Sequence, residues 1–109
     1  MPRPHALQPS ELARYVAIIE DAGPDFAVGV WFPDLPGCIS AGDTLDQALA
    51  NAPEAIALWF EEIEEEGRSV PRARTPSELK ADPEIAAEMS KYVIALIPAP
   101  DVALQPAAE

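Results

Sequence analysis

Residues 31–51, WFPDLPGCISAGDTLDQALAN, decide how this 109-residue chain folds, because three backbone signals fall there in succession. Leu35-Pro36-Gly37-Cys38 has proline second and glycine third in a four-residue turn. Proline presets φ at about −65° and glycine accepts positive φ, so a type II turn is expected. Gly42 then interrupts a short extended piece. Thr44 with Gln47 three residues on has capping-box spacing, hydroxyl to the N3 amide and glutamine back to the cap amide. Asp43 and Asp46 put negative charge at the positive end of the helix dipole. The stretch reads as strand end, corner, short strand, turn and helix start. It holds no nucleophile beside a base and no metal cage.

Upstream, residues 14–20 (RYVAIIE) are rich in β-branched and aromatic side chains and stop at Asp-Ala-Gly-Pro-Asp, a strand ending in a turn. Residues 26–32 (FAVGVWF) make its hairpin partner. Alternation puts Phe26, Val28, Val30 and Phe32 on one face and Ala27, Gly29 and Trp31 on the other. Both faces are apolar, so one is expected to meet a helix and the other a neighbouring subunit, with Trp31 as interface anchor. A homodimer or higher homo-oligomer follows. A third strand occupies 38–41, where Cys38 reads as a small buried apolar residue, since no histidine lies near to make it a nucleophile.

Downstream, Leu45, Ala48, Leu49, Ala52, Ile56, Trp59, Phe60 and Ile63 recur at three- and four-residue spacing, predicting a core-facing helix over about 44–66. Pro53 removes an amide donor and crowds the Leu49 carbonyl, so a kink or two-piece helix is expected near 50–53, with Asn51 and Glu54 as a restart. The helix closes on Glu61, Glu62, Glu64, Glu65 and Glu66, five carboxylates at the negative end of its dipole. A run that opposes local stability is a candidate binding surface, against the plainer reading of a solvated face. Gly67 ends the helix, and Arg68, Arg72 and Arg74 follow as partial neutralisers. Two short helices are expected at 77–81 and 83–89, the second capped by Asp82 with proline first. Residues 91–97 (KYVIALI) form a nearly continuous apolar strand, which suggests parallel pairing inside the sheet. Residues 1–13, with the lone His5, and 99–109 read as flexible tails around one domain at 14–98.

Composition bounds the partners. Seven basic against 19 acidic residues give a net charge of −12. Phosphate affinity comes from Lys and Arg displacing counterions, so direct nucleic-acid binding is disfavoured and a basic partner favoured. One cysteine permits no internal disulfide, the start MPRPHALQPS lacks the apolar run of a signal peptide, and nothing approaches the ~20 apolar residues of a membrane span. A cytoplasmic protein without cofactor is the expectation.

The order strand–strand–strand–helix–strand, with FPDLPGCISAGDTLDQALANAPEAI, resembles the HicB-like antitoxins of bacterial toxin–antitoxin pairs over about residues 14–98. The proline–glycine corner, the Gly-Asp-Thr helix entry and the Asn-Ala-x-Glu-Ala stretch match in order and spacing. The resemblance implies an α+β, partial RNase H-like fold: a three-stranded antiparallel meander, a long helix and a last strand beside the first. It also implies a partner, a small basic HicA-type toxin that cleaves messenger RNA, neutralised by covering its RNA-binding face. Many members carry a C-terminal helix-turn-helix or ribbon-helix-helix. Only about ten residues follow the last strand here, so operator binding is not expected.

Nuclease chemistry of the RNase H type needs carboxylates converging on two metal ions, one from the middle of the first strand. Residues 15–19 hold none, Glu20 and Asp21 fall at the strand's end, and Asp34 and Asp43 sit in turns that favour Asp for backbone reasons. No enzyme is expected. Two readings remain open: an antitoxin that covers a basic ribonuclease, and a stand-alone binding or scaffold module of the same ancestry.

Overall fold

Strand β1 (Leu12–Glu20) runs through the middle of the molecule, and its residues 15–19 are buried on both faces. The computed structural model describes residues 8–103; of the expected tails 1–13 and 99–109, residues 1–7 (His5 included) and 104–109 lie outside them. Residues 12–13 belong to the first strand and 99–103 to the last, where Ala13 and Ala99 are buried. Around β1 come β2 (Val28–Trp31), β3 (Ile39–Gly42) and, after three helices, β4 (Val93–Ala103). The sheet order is β3-β2-β1-β4, so the last strand lies beside the first, as expected. Helix α1 (Leu45–Glu65) crosses one face, and α2 (Pro76–Lys80) and α3 (Pro83–Lys91) lie on the other.

Alternation along β1 separates two cores. Ala13, Tyr15, Ala17 and Ile19 join Val28, Val30 and Phe32 beneath Ala48, Ala52, Ile56, Trp59 and Ile63 of α1. Val16 and Ile18 point the other way, to Leu79 of α2 and Met89 of α3, with Trp31, Ile85, Tyr92 and Ile94 around them. The second apolar face thus has a cover within its own chain, where the sequence suggested a neighbouring subunit. Phe26 stands outside β2 and is exposed, because the strand starts only at Val28.

One expectation is overturned. β4 pairs with β1 antiparallel, Tyr15 opposite Ile97 and Ile18 opposite Ile94, and forms a sheet edge rather than a parallel inner strand. The chain makes two helical passages between β3 and β4, one on each face. The first returns it to the end where β1 begins, and the second carries it back along the sheet. An even number of passages reverses the final strand. A proline fits a paired strand only where its missing N–H would face away from the ladder. Pro98 and Pro100, two apart, therefore blunt the open side of that edge.

Pro53 sits inside one unbroken 21-residue helix, not between two pieces. Asn51, expected to restart it, instead donates from Nδ2 to the Ala41 carbonyl (2.9 Å) and ties α1 to β3. The entry is nearly as read. Thr44 Oγ1 accepts from the Gln47 amide (3.1 Å), but the Gln47 side chain reaches Asp43 N–H (2.9 Å), one residue beyond the cap amide. Gly42 has a packing reason as well: a Cβ there would lie 2.5 Å from the Ala48 nitrogen, so only glycine lets β3 run in under the helix start.

Candidate partner-binding surface

The proline–glycine corner folds as read. Cys38 N–H donates to the Leu35 carbonyl (3.0 Å) and Gly37 takes φ +85°, the glycine position of a type II turn. The turn aims the Pro36 carbonyl at α1, where Trp59 Nε1 donates to it (3.0 Å). Cys38 is buried, and burial pushes its thiol up to about 11, which keeps it protonated and inert at neutral pH.

From this anchor α1 runs on to its acidic end. Ile63 is buried and holds that end on the sheet, while Glu61, Glu62, Glu64, Glu65 and Glu66 are all exposed. Gly67 takes φ +70°, its N–H donates to the Glu64 carbonyl (3.0 Å), and Arg68 N–H donates to that of Ile63 (2.8 Å). This double closure satisfies end carbonyls that would otherwise stay open. Arg68 also pairs with Glu66 (3.0 Å) and lies 5.8 Å from the Trp59 ring centroid.

Helical geometry splits the run across the buried stripe. Glu61 and Glu64 border a groove of about 420 Å³ with Phe60, Val70, Val102 and Arg68. Glu62 borders a smaller one, about 230 Å³, on the β3 side with Ile39, Ala55, Leu58 and the corner. Glu61 and Glu64 thus lie at one groove and Glu62 at the other, while Glu65 and Glu66 border neither. Trp31 is half-buried; its Nε1 donates to Glu20 (2.8 Å), and it borders a groove with Ile85, Ala87, Glu84 and Glu88 of α3.

Of the three arginines expected to neutralise the run, only Arg68 does so. Arg74 donates from Nε to Asp34 Oδ1 (2.6 Å) and from its amide to Oδ2 (2.8 Å). Arg72 makes two bonds to Glu78 (3.1 and 2.6 Å). The capping box proper is Thr75 with Glu78, and its signal, Thr-Pro-Ser-Glu, is present in the sequence beside the short helix expected at 77–81. With Tyr15 Oη donating to the Pro71 carbonyl (2.5 Å), these contacts pin the segment that carries the chain from one face to the other.

Arg72 first, then the Thr75 amide, holds the Glu78 carboxyl at about 2, below its ordinary 4.5. A folded-state value that is depressed stabilises above the unfolded value and is lost as pH falls through the folded one. The melting-temperature advantage of wild type over Glu78→Gln should therefore be full at neutral pH and shrink from about 4.5 down to about 2. Thermal melts of both proteins across that window check it.

Among the described residues no three His, Cys, Asp or Glu side chains come together in a way that could hold a metal ion, and no helix is long and apolar enough to cross a membrane. The sheet order, with α1 across one face and an exposed acidic helix end, defines a partial RNase H-like module. A family model described as the HicB-like antitoxin of bacterial toxin–antitoxin systems matches residues 15–105. The chain belongs to that family, in agreement with the motif reading.

Antitoxin HicB 2 of Photorhabdus laumondii is 36% identical over 67 residues, 62% of this chain and 47% of that protein. The crystal structure of the Burkholderia pseudomallei antitoxin HicB superposes with a TM-score of 0.65 at 31% identity, over 90% of this chain and 71% of that one. A chain of the HicA3–HicB3 toxin–antitoxin complex gives 0.59 at 26% identity, over 85% of this chain and 99% of that one. The chain spans about half the length of two of the curated relatives it matches.

Proposed function

We propose that this chain acts as an antitoxin, binding a small basic HicA-type mRNA-cleaving toxin and covering the face with which the toxin grips RNA. The observation that carries the reading is the acidic end of α1 in a chain of net charge −12: five exposed carboxylates on a helix end that Ile63 anchors and Gly67 closes. Family membership and the likeness to a chain of the HicA3–HicB3 complex support a toxin as the partner. Co-expression with a HicA-type toxin tests the reading. Rescue of growth and co-purification are expected; a growth arrest that this chain leaves unrelieved would refute it.

Exposed carboxylates act chiefly through long-range attraction, which salt screens beyond ~8–10 Å. Changing Glu61, Glu62 and Glu65 to Gln should slow association about tenfold at low salt, and less as salt rises. Glu66 is left in place because Arg68 already engages it. The melting temperature should stay or rise, since like charges at the helix end are removed. Stopped-flow association rates over a salt series measure the effect, and a rate unchanged at low salt would reduce the run to a solvated face.

We also propose self-association around Trp31, favoured by the open groove of about 500 Å³ that it shares with α3. Light scattering should give a dimer mass. A monomer mass at high concentration counts against it.

A further inference from the structure

The two edges of the sheet are built differently. β4 has Pro98 and Pro100 on its open side, while β3 (Ile39–Gly42) carries neither proline nor charge. Edge strands left without such guards are templates for association. Ile39 is 73% exposed there, and Leu58 of α1, bordering the same groove, is 56% exposed. Nothing in the chain's own packing requires either side chain to be apolar.

We propose that the Ile39–Leu58 surface, with Glu62 at its rim, is where the basic toxin seats, so that these two side chains hold the complex that the carboxylates steer together. This rests on the antitoxin reading and adds to it the surface that determines how long the complex lasts. The groove on the β4 side carries Glu61 and Glu64 together with Arg68, whose guanidinium would face a basic partner, whereas the β3 groove carries Glu62 and no cation. Charge also argues against a second copy of this chain as the occupant. A two-fold antiparallel pairing of β3 strands would bring the Glu62 end of one copy to the Asp43 end of the other. Asn51 already occupies the Ala41 carbonyl, so the freely accessible stretch of the edge centres on Ile39. Side-chain burial, rather than a long ladder of hydrogen bonds, must then supply the affinity.

The test uses neutral substitutions, which leave steering untouched: Ile39→Thr, Leu58→Gln and the double variant, with Val70→Thr on the opposite flank as control. All three residues are substantially exposed, so melting temperatures should match wild type. Each of the first two should raise Kd for the full-length HicA-type toxin, inactivated for handling, by about tenfold, and the pair by about a hundredfold. The loss should appear in the dissociation rate, with association unchanged, and Val70→Thr should stay near wild type. Normal affinity of the double variant for a toxin that wild type binds would overturn this inference alone. Failure of wild type to bind any HicA-type protein would overturn the antitoxin reading and this inference with it. A double variant that loses self-association while keeping toxin affinity would assign the surface to a second copy instead, and overturn the proposal.

Discussion

Trp59→Ala should cost about 3–5 kcal/mol of folding stability, the range for removing a large aromatic from a core. Three structural elements meet on this ring. Its face and edge pack in the α1 core, with Phe60 edge-on at 5.4 Å between centroids. Its Nε1 is the donor that fixes the Pro36 carbonyl and hence the corner between β2 and β3. Arg68, the residue that closes the helix, lies over it. Trp59→Phe separates these roles, since it keeps most of the volume and loses the hydrogen bond, at about 1 kcal/mol. Urea titrations with an unchanged m-value give both numbers. If the alanine variant lost no more than the phenylalanine variant, the ring would not be the structural pin described here.

Arg74→Ala should cost about 2–3 kcal/mol, below the 3–5 of a fully buried pair because the guanidinium is partly exposed. The Asp34 side chain is only 6% exposed, against 36% for Arg74. Without the guanidinium that carboxylate stays buried, held by the Arg74 amide alone among the bonds it now accepts. Its neighbour is Tyr15, whose phenol burial and then Asp34 push up to about 12. Removing Asp34 as well should recover part of the loss, since no uncompensated charge remains. A double variant as unstable as the sum of the two singles would show that Asp34 and Arg74 do not act as a pair.

Local signals were legible and long-range ones were not. Pro36-Gly37, the Thr44 cap, Gly67 and Asp82 each act within four residues of themselves and sit where their local pattern put them, with only the Gln47 side chain one residue off its expected partner. The direction of β4 depends on where residues 68–75 take the chain. The contacts that decide this, Tyr15 to Pro71 and Asp34 to Arg74, span 56 and 40 residues. An apolar run such as 93–97 looks the same in a parallel or an antiparallel pair. Continuity of α1 through Pro53 has a similar cause. Buried Ala52 and Ile56 on either side of the proline, and the Asn51 tie to β3, hold one helix where propensity alone suggests two.

The candidate surface was legible as composition rather than as shape. Five glutamates could be counted in the sequence, but the placing of Glu61 and Glu64 at one groove and Glu62 at another follows from Ile63 facing inward. Ile39 and Leu58 gave no signal at all. One sits in a strand whose edge position needs the whole sheet order, the other on a helix face whose exposure needs its packing.

Whether this chain is an antitoxin is read from RNA cleavage by a HicA-type toxin as increasing amounts of the chain are added. Cleavage should fall in proportion to added protein and be abolished at stoichiometric amounts, with the Ile39→Thr/Leu58→Gln variant needed in large excess. Cleavage that continues at full rate in saturating wild-type protein would contradict the antitoxin reading.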